Sequence, residues 1–123
     1  LEIAYSPSLA YPAGESKHGF IALIDEGYPV IFIAPNDGTK GKIIGNIMEM
    51  KARGAKIIAV MDGDDSEIEC LADECVKIKS GTLDVLTPMV YVVPLQLFAY
   101  YMSVMRGYNP DQPRNLAKSV TVE

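Results

Sequence analysis

Three side chains in this sequence have the type and the setting for acid–base or nucleophilic chemistry. In "GESKHG" (Gly14–Gly19) the only histidine, His18, stands between a lysine and a glycine, just before the apolar run "FIALI". A histidine at a helix N-terminus is disfavoured as a cation, so there it would stay neutral and act as base or donor. The plainer alternative is an exposed histidine that merely starts a helix. Glu2 sits in the otherwise apolar "LEIAY". Burial would raise its pKa and make it a general base, whereas a place on an exposed helix end would leave it an ordinary carboxylate. Lys118 lies in the terminal "NLAKSVTVE", among Leu116, Ala117 and Val120. Partial desolvation there would keep some amine neutral and nucleophilic toward a carbonyl, against the alternative of a lysine on a solvated tail.

Other stretches are weaker. "GDDSEIE" is acidic enough to suggest a divalent cation, but its carboxylates crowd too closely in sequence to define a cage, and a solvated loop is the better reading. "NDGTKGK" follows an apolar run and is glycine-rich, yet it is neither a Walker pattern nor G-x-G-x-x-G, so it reads as helix capping. Cys70 and Cys75, with a single distant histidine, do not supply a metal site and read as free thiols of a reducing cytoplasm. No metal and no cofactor is expected.

The 123 residues allow one domain with a real core. A formal net charge of −5 and a pI near 4.8 argue against nucleic acid or an anionic membrane as partner. The longest apolar stretch, Met89 to Met105, contains Pro94, Gln96 and tyrosines, so it reads as a buried helix rather than a membrane span. No signal peptide is expected ahead of the domain. The chain starts at Leu1 rather than methionine, which suggests a fragment of a longer protein.

Positioning these residues falls to alternating apolar runs. "YPVIFIAP" (Tyr28–Pro35) and "AKIIAVMDG" (Ala55–Gly63) read as buried strands, and "CVKIK" (Cys75–Lys79) as a third, more exposed one. Between the first two, "GKIIGNIMEMKARG" has helical spacing and ends on Lys51, Arg53 and Gly54, with Asp37 or Thr39 as its cap. A short acidic helix is expected around Ser66–Asp73. A last helix is expected from Leu86 or Thr87 to about Arg106, bent at Pro94, where the carbonyl of Val90 loses its partner. Strand–helix–strand with a one-helix crossover makes a parallel sheet. The fold expected is therefore α/β, a parallel sheet with helices on both faces. Ligands then sit beyond the carboxyl ends of the strands, near the loops after Pro35 and Gly63.

"DQPRNLAKSVTVE", preceded by "VPLQLFAYYMSVMRG" and, near the start, by "GESKHG", resembles the glucosamine-6-phosphate synthase family. These are the glutamine–fructose-6-phosphate aminotransferases (isomerizing) of hexosamine biosynthesis. The likeness is to their second sugar-isomerase (SIS) subdomain and runs from Leu1 to Glu123. It implies an SIS-type, flavodoxin-like, three-layer αβα domain over 1–123, with a catalytic tail at 107–123. It also implies conversion of fructose 6-phosphate and glutamine-derived ammonia into glucosamine 6-phosphate. By the same resemblance Lys118 forms the imine, His18 assists ring opening, Glu2 shuttles the proton between the first two sugar carbons, and Ala117 contacts substrate.

The implied partners are fructose 6-phosphate, a preceding SIS subdomain, a glutaminase domain and a second copy in a homodimer, in the cytoplasm. Relatives often have proline where this chain has Phe20. A Ser/Thr-rich phosphate loop of the kind the family carries in its first SIS subdomain is missing, so the isolated chain is expected to turn over little or nothing. The rival expectation is a non-catalytic sugar-phosphate-binding SIS module.

Overall fold

The computed structural model describes residues 1–79, 81 and 84–114. It divides into two compact units: Ala10–Pro94, and Leu1–Leu9 together with the chain from Leu95 on.

In the first unit, strands β1 (Pro29–Ala34), β2 (Lys56–Asp62) and β3 (Glu74–Ile78) form a parallel sheet in the order β1–β2–β3. Helix α1 (Lys40–Lys51) joins β1 to β2, and α2 (Ser66–Leu71) joins β2 to β3. The parallel α/β sheet expected from the sequence is borne out. Two right-handed crossovers stepping the same way place α1 and α2 on one face, and the two helices touch.

That face holds the core. The register sets Phe32 beside Ala59 and Ala34 beside Met61, so alternate residues of both strands point to the same side. With Ile57, Ile43, Ile47, Met50 and Ile68 they form a continuous buried cluster. Burying a side chain such as Ile57 contributes roughly 1.5–3 kcal/mol. β3 is largely exposed, as its sequence indicated.

The helix ends follow from named residues. Asp37 Oδ1 accepts from the backbone N–H of Thr39 (2.7 Å) and from its hydroxyl (2.6 Å), closing the turn into α1. At the far end Gly54 has φ +88°, the left-handed conformation that lets the chain turn back toward β2. Asp65 caps α2 by accepting from the N–H groups of Glu67 and Ile68. Asp73 follows α2 and fixes it to the sheet, its Oδ2 accepting from the N–H of Ile57 at 2.6 Å.

Two expectations need correction. "FIALI" is not a regular helix: Ala13–His18 and Phe20–Leu23 are short 3-10 turns, separated by Gly19 at φ +136°. That glycine takes the chain out of the helical region, and Phe20 then stacks on Tyr11 with ring centroids 4.2 Å apart.

The last helix, α3 (Thr87–Met105), runs through Pro94 as expected, but it is not a buried helix. Val93, Leu97, Phe98, Tyr101 and Met105 are all exposed. An apolar face this broad needs an equally broad surface to cover it, and the described residues do not supply one. α3 is also long and apolar enough to cross a membrane, by length and composition alone.

Candidate functional site

His18 is the last residue of the turn Ala13–His18 and is exposed. Its setting corrects the expected helix N-terminus: His18 closes one 3-10 turn, and Gly19 separates it from the next. Ser16, in the same turn, is completely buried and roots it.

The turn and α1 enclose an open cleft of about 350 Å³, lined by Gly14, Lys17, Gly41, Lys42, Gly45 and Glu49 among others. Gly41, Gly45 and Glu49 follow one face of α1 at helical spacing. A methyl group at Gly14, Gly41 or Gly45 would meet no heavy atom within 4 Å. Lys17 Nζ pairs with Glu49 Oε1 across the cleft at 2.7 Å. That exposed pair contributes at most about 1 kcal/mol, so a ligand could displace it at little cost. Lys42 adds a second ammonium group. The sequence reading missed this cleft because its glycines come from segments far apart in the chain.

The carboxyl ends of the strands carry charge of the other sign. Asp37 follows β1, Asp62 ends β2, and Asp64 and Asp65 follow it. The Thr39 hydroxyl and N–H hold Asp37 below the usual carboxylate range. Lys40 does the same for Asp65 and Lys77 for Asp64, in each case chiefly by hydrogen bonding. Lys77 bridges Asp64 (2.7 Å) and Glu69 (3.0 Å), which push its own pKa upward, Asp64 the more. The acidic "GDDSEIE" loop is therefore partly offset by Lys40 and Lys77 and keeps a negative balance. Among the described residues, no group of three or more His, Cys, Asp or Glu side chains is placed to hold a metal ion. Burial raises the Cys75 thiol, which makes it a poor nucleophile.

Tyr91, on α3, belongs to the same unit and is 4% exposed. Its hydroxyl has no hydrogen-bond partner among the described residues. Burial, and then the charges of Asp62 and Asp37, push its pKa up to about 12. No sequence signal marked it, because a tyrosine in an apolar helix reads as ordinary packing.

In the second unit Glu2 is exposed, within a turn closed by Tyr5 N–H donating to the Leu1 carbonyl at 2.9 Å. Of the two settings open to this carboxylate, burial and exposure, the structure has the exposed one: its neighbours Leu1 and Ile3 do not cover it. Further along, the Ser103 hydroxyl donates to the Ile3 carbonyl and Arg106 Nη1 to the Ala4 carbonyl, both at 2.8 Å. Lys118 and Ala117 lie outside the described residues.

Residues 1–106 match the SIS domain family. The chain belongs to that family. The SIS domain here is 51% identical over 122 residues to glutamine--fructose-6-phosphate aminotransferase [isomerizing] of Thermus thermophilus. It is 50% identical to the protein of the same name from Chlorobaculum tepidum and 48% to that from Pyrobaculum aerophilum. In each comparison 99% of this chain is matched, but only 20% of the relative's length. Among solved structures, the C-terminal domain of glucosamine-fructose-6-phosphate aminotransferase from Francisella tularensis superposes with a TM-score of 0.79 at 34% identity. That match covers 89% of this chain and 31% of the Francisella domain. The family and fold implied by the terminal motifs are thus borne out. The matched relatives are enzymes by name, and this SIS domain spans about one fifth of their length.

Proposed function

We propose that this SIS domain is the second isomerase subdomain of a glutamine–fructose-6-phosphate aminotransferase. The supporting observation is identity near 50% along 99% of the chain to enzymes of that name. In this reading fructose 6-phosphate and ammonia give glucosamine 6-phosphate and water. His18 protonates the ring oxygen and takes the anomeric hydroxyl proton, opening the ring. The Lys118 amine attacks the C2 carbonyl, and loss of water leaves an imine; ammonia then replaces lysine at that carbon. Glu2 carries a proton from C1 to C2, and Ala117 lines the substrate.

The acidic rim at the strand ends has the wrong sign for a phosphate. This supports a phosphate grip contributed by a preceding SIS subdomain, with ammonia supplied by a glutaminase domain. The exposed α3 face would be covered by such a subdomain or by a second copy in a homodimer, and the site of action would be the cytoplasm. The exposure of Glu2 and His18 favours one second reading, a sugar-phosphate-binding module without catalysis.

A borohydride trap tests the choice. The chain is joined behind the other four-fifths of the Thermus thermophilus relative, incubated with fructose 6-phosphate and reduced, and the adduct is located by peptide mass mapping. A saturable adduct confined to Lys118 is expected. Adducts spread over all lysines, or none, would refute the imine.

A further inference from the structure

Glu2 lies inside a closed turn that is held from outside at several points. The Tyr5 N–H donates to the Leu1 carbonyl at 2.9 Å and closes Leu1–Tyr5 into one turn. Tyr5 is the only non-glycine residue with positive φ (+50°) among the described residues. Tyrosine does not adopt that conformation without something to hold it. The Tyr108 ring meets its ring edge-on, with centroids 4.8 Å apart. The Arg114 guanidinium lies 4.2 Å above the Tyr5 ring centre and 5.5 Å from that of Tyr108, and the Arg114 N–H donates to the Tyr5 hydroxyl at 2.6 Å.

The middle of the turn is held by the end of α3. Ser103 and Arg106, three residues apart and so on one side of the chain, donate to two successive carbonyls, those of Ile3 and Ala4. Two attachments fix orientation as well as position, where one would leave the turn free to swing. A serine in a helix commonly bonds a carbonyl of its own helix one turn back. Ser103 is completely buried and gives its proton instead to a carbonyl 100 positions away. Its own carbonyl accepts from the Tyr108 N–H at 3.0 Å, so it also holds the residue whose ring packs on Tyr5. Ala4 is buried, whereas Glu2 is exposed. The backbone is anchored and the carboxylate is left free to meet something outside.

We propose that Ser103 and Arg106 are positioning residues for Glu2, setting the place from which its carboxylate moves the proton. This deepens the function proposed above and rests on its assignment of Glu2. Because Glu2 lies within the closed turn and not beyond it, holding Ile3 and Ala4 holds its Cα, and only its side-chain torsions remain free. A base that takes a proton from C1 and returns it to the adjacent C2 needs that combination, a fixed root and a short swing. It must stand within hydrogen-bond reach of the carbon acid, and a displacement of about 1 Å costs as much as a hundredfold in rate. In this role neither Ser103 nor Arg106 reacts.

The test uses the joined enzyme described above, with Glu2→Gln as a control for the underlying reading. Arg106→Met removes the donor at an exposed position and keeps an apolar stem. It is expected to lower kcat about tenfold, with KM for fructose 6-phosphate, Tm and borohydride trapping at Lys118 little changed. Arg106→Lys keeps a donor and should recover part of the loss. Ser103→Ala should lower kcat by about threefold or more; should it fail to fold, the exposed Arg106 decides the matter. Fructose 6-phosphate deuterated at C1 separates positioning from a merely structural role. Its isotope effect on kcat in Arg106→Met should be as large as the parent's or larger, because proton removal is the step that slows. A lower kcat with a smaller or absent isotope effect, or equal loss of trapping and product, overturns the positioning role. So does a parental kcat in Arg106→Met, in an enzyme that Glu2→Gln disables, and both results leave the proposed function standing. Turnover that survives Glu2→Gln, or a folded enzyme that neither turns over nor traps sugar, overturns the proposed function and the positioning role with it.

Discussion

Lys40 Nζ, in the first turn of α1, lies 2.5 Å from Oδ2 of Asp65, the N-cap of α2. The loop after β1 is thereby tied to the loop after β2, at the edge of the sheet where ligands of such folds bind. Asp65 carries two duties at once, because its other oxygen caps the helix.

Separating those duties gives the first prediction. Asp65→Ala loses both cap and ion pair and should cost about 1–2 kcal/mol in urea denaturation. Asp65→Asn keeps the cap and should cost clearly less. The pH dependence follows in sign: Lys40 holds the Asp65 carboxyl below its ordinary value in the folded state. Its contribution is therefore complete above the unfolded carboxylate pKa, about 3.9, and is lost as pH falls through the lower folded value. The wild type should show this acid loss, and Asp65→Asn should show less of it.

Tyr91 gives a prediction at the other end of the pH scale. Its folded pKa is raised to about 12, so its contribution is complete below the unfolded phenol value, about 10. It is lost as pH rises from there through the folded value. Tyr91→Phe should flatten that part of the stability profile. At neutral pH it should be neutral or stabilising by about 1 kcal/mol, since it removes a buried hydroxyl that has no partner among the described residues. A loss of stability at neutral pH would mean that the hydroxyl is satisfied after all.

Gly54 should not tolerate a side chain. Its φ is +88°, and an added Cβ would collide with Glu26 Oε2 and stand 3.0 Å from the Glu26 Cα. The backbone there cannot retreat, because the Gly27 N–H donates to the Gly54 carbonyl at 2.7 Å. Gly54→Ala should destabilise by about 1–3 kcal/mol in chemical denaturation.

The assignment of Glu2 as proton shuttle separates from that of Lys118 as nucleophile. In the joined enzyme, Glu2→Gln should still form the reducible adduct at Lys118. It should lose product formation by about a hundredfold or more, the scale of a missing general base. Equal loss of adduct and product would assign Glu2 to folding or binding instead.

Much of the sheet was legible in the sequence because its signals are local. "VIFIA" and "IIAVM" are too apolar and too β-branched for anything but buried strands, and Lys51, Arg53 and Gly54 end a helix by their own chemistry. The 3-10 turns around His18 were not legible: Gly19 is the position where the chain turns out of the helical region, and "FIALI" alone has nothing to mark that. The exposure of α3 escaped for the opposite reason, since an apolar helix shows that burial is needed but not which surface provides it.

The candidate site divides the same way. His18, Glu2 and Lys118 stood out by residue type and by the terminal motif, and the sequence by itself determined the family and the parallel α/β sheet. Only the tertiary structure decided that Glu2 and His18 stand exposed, that the strand ends carry an acidic rim held by Lys40 and Lys77, and that Arg114 is caught between Tyr5 and Tyr108. The reason is physical. Propensity and periodicity act over a few residues, whereas solvent exposure, charge pairing and ring stacking depend on partners that approach only once the chain has closed, here across 109 positions.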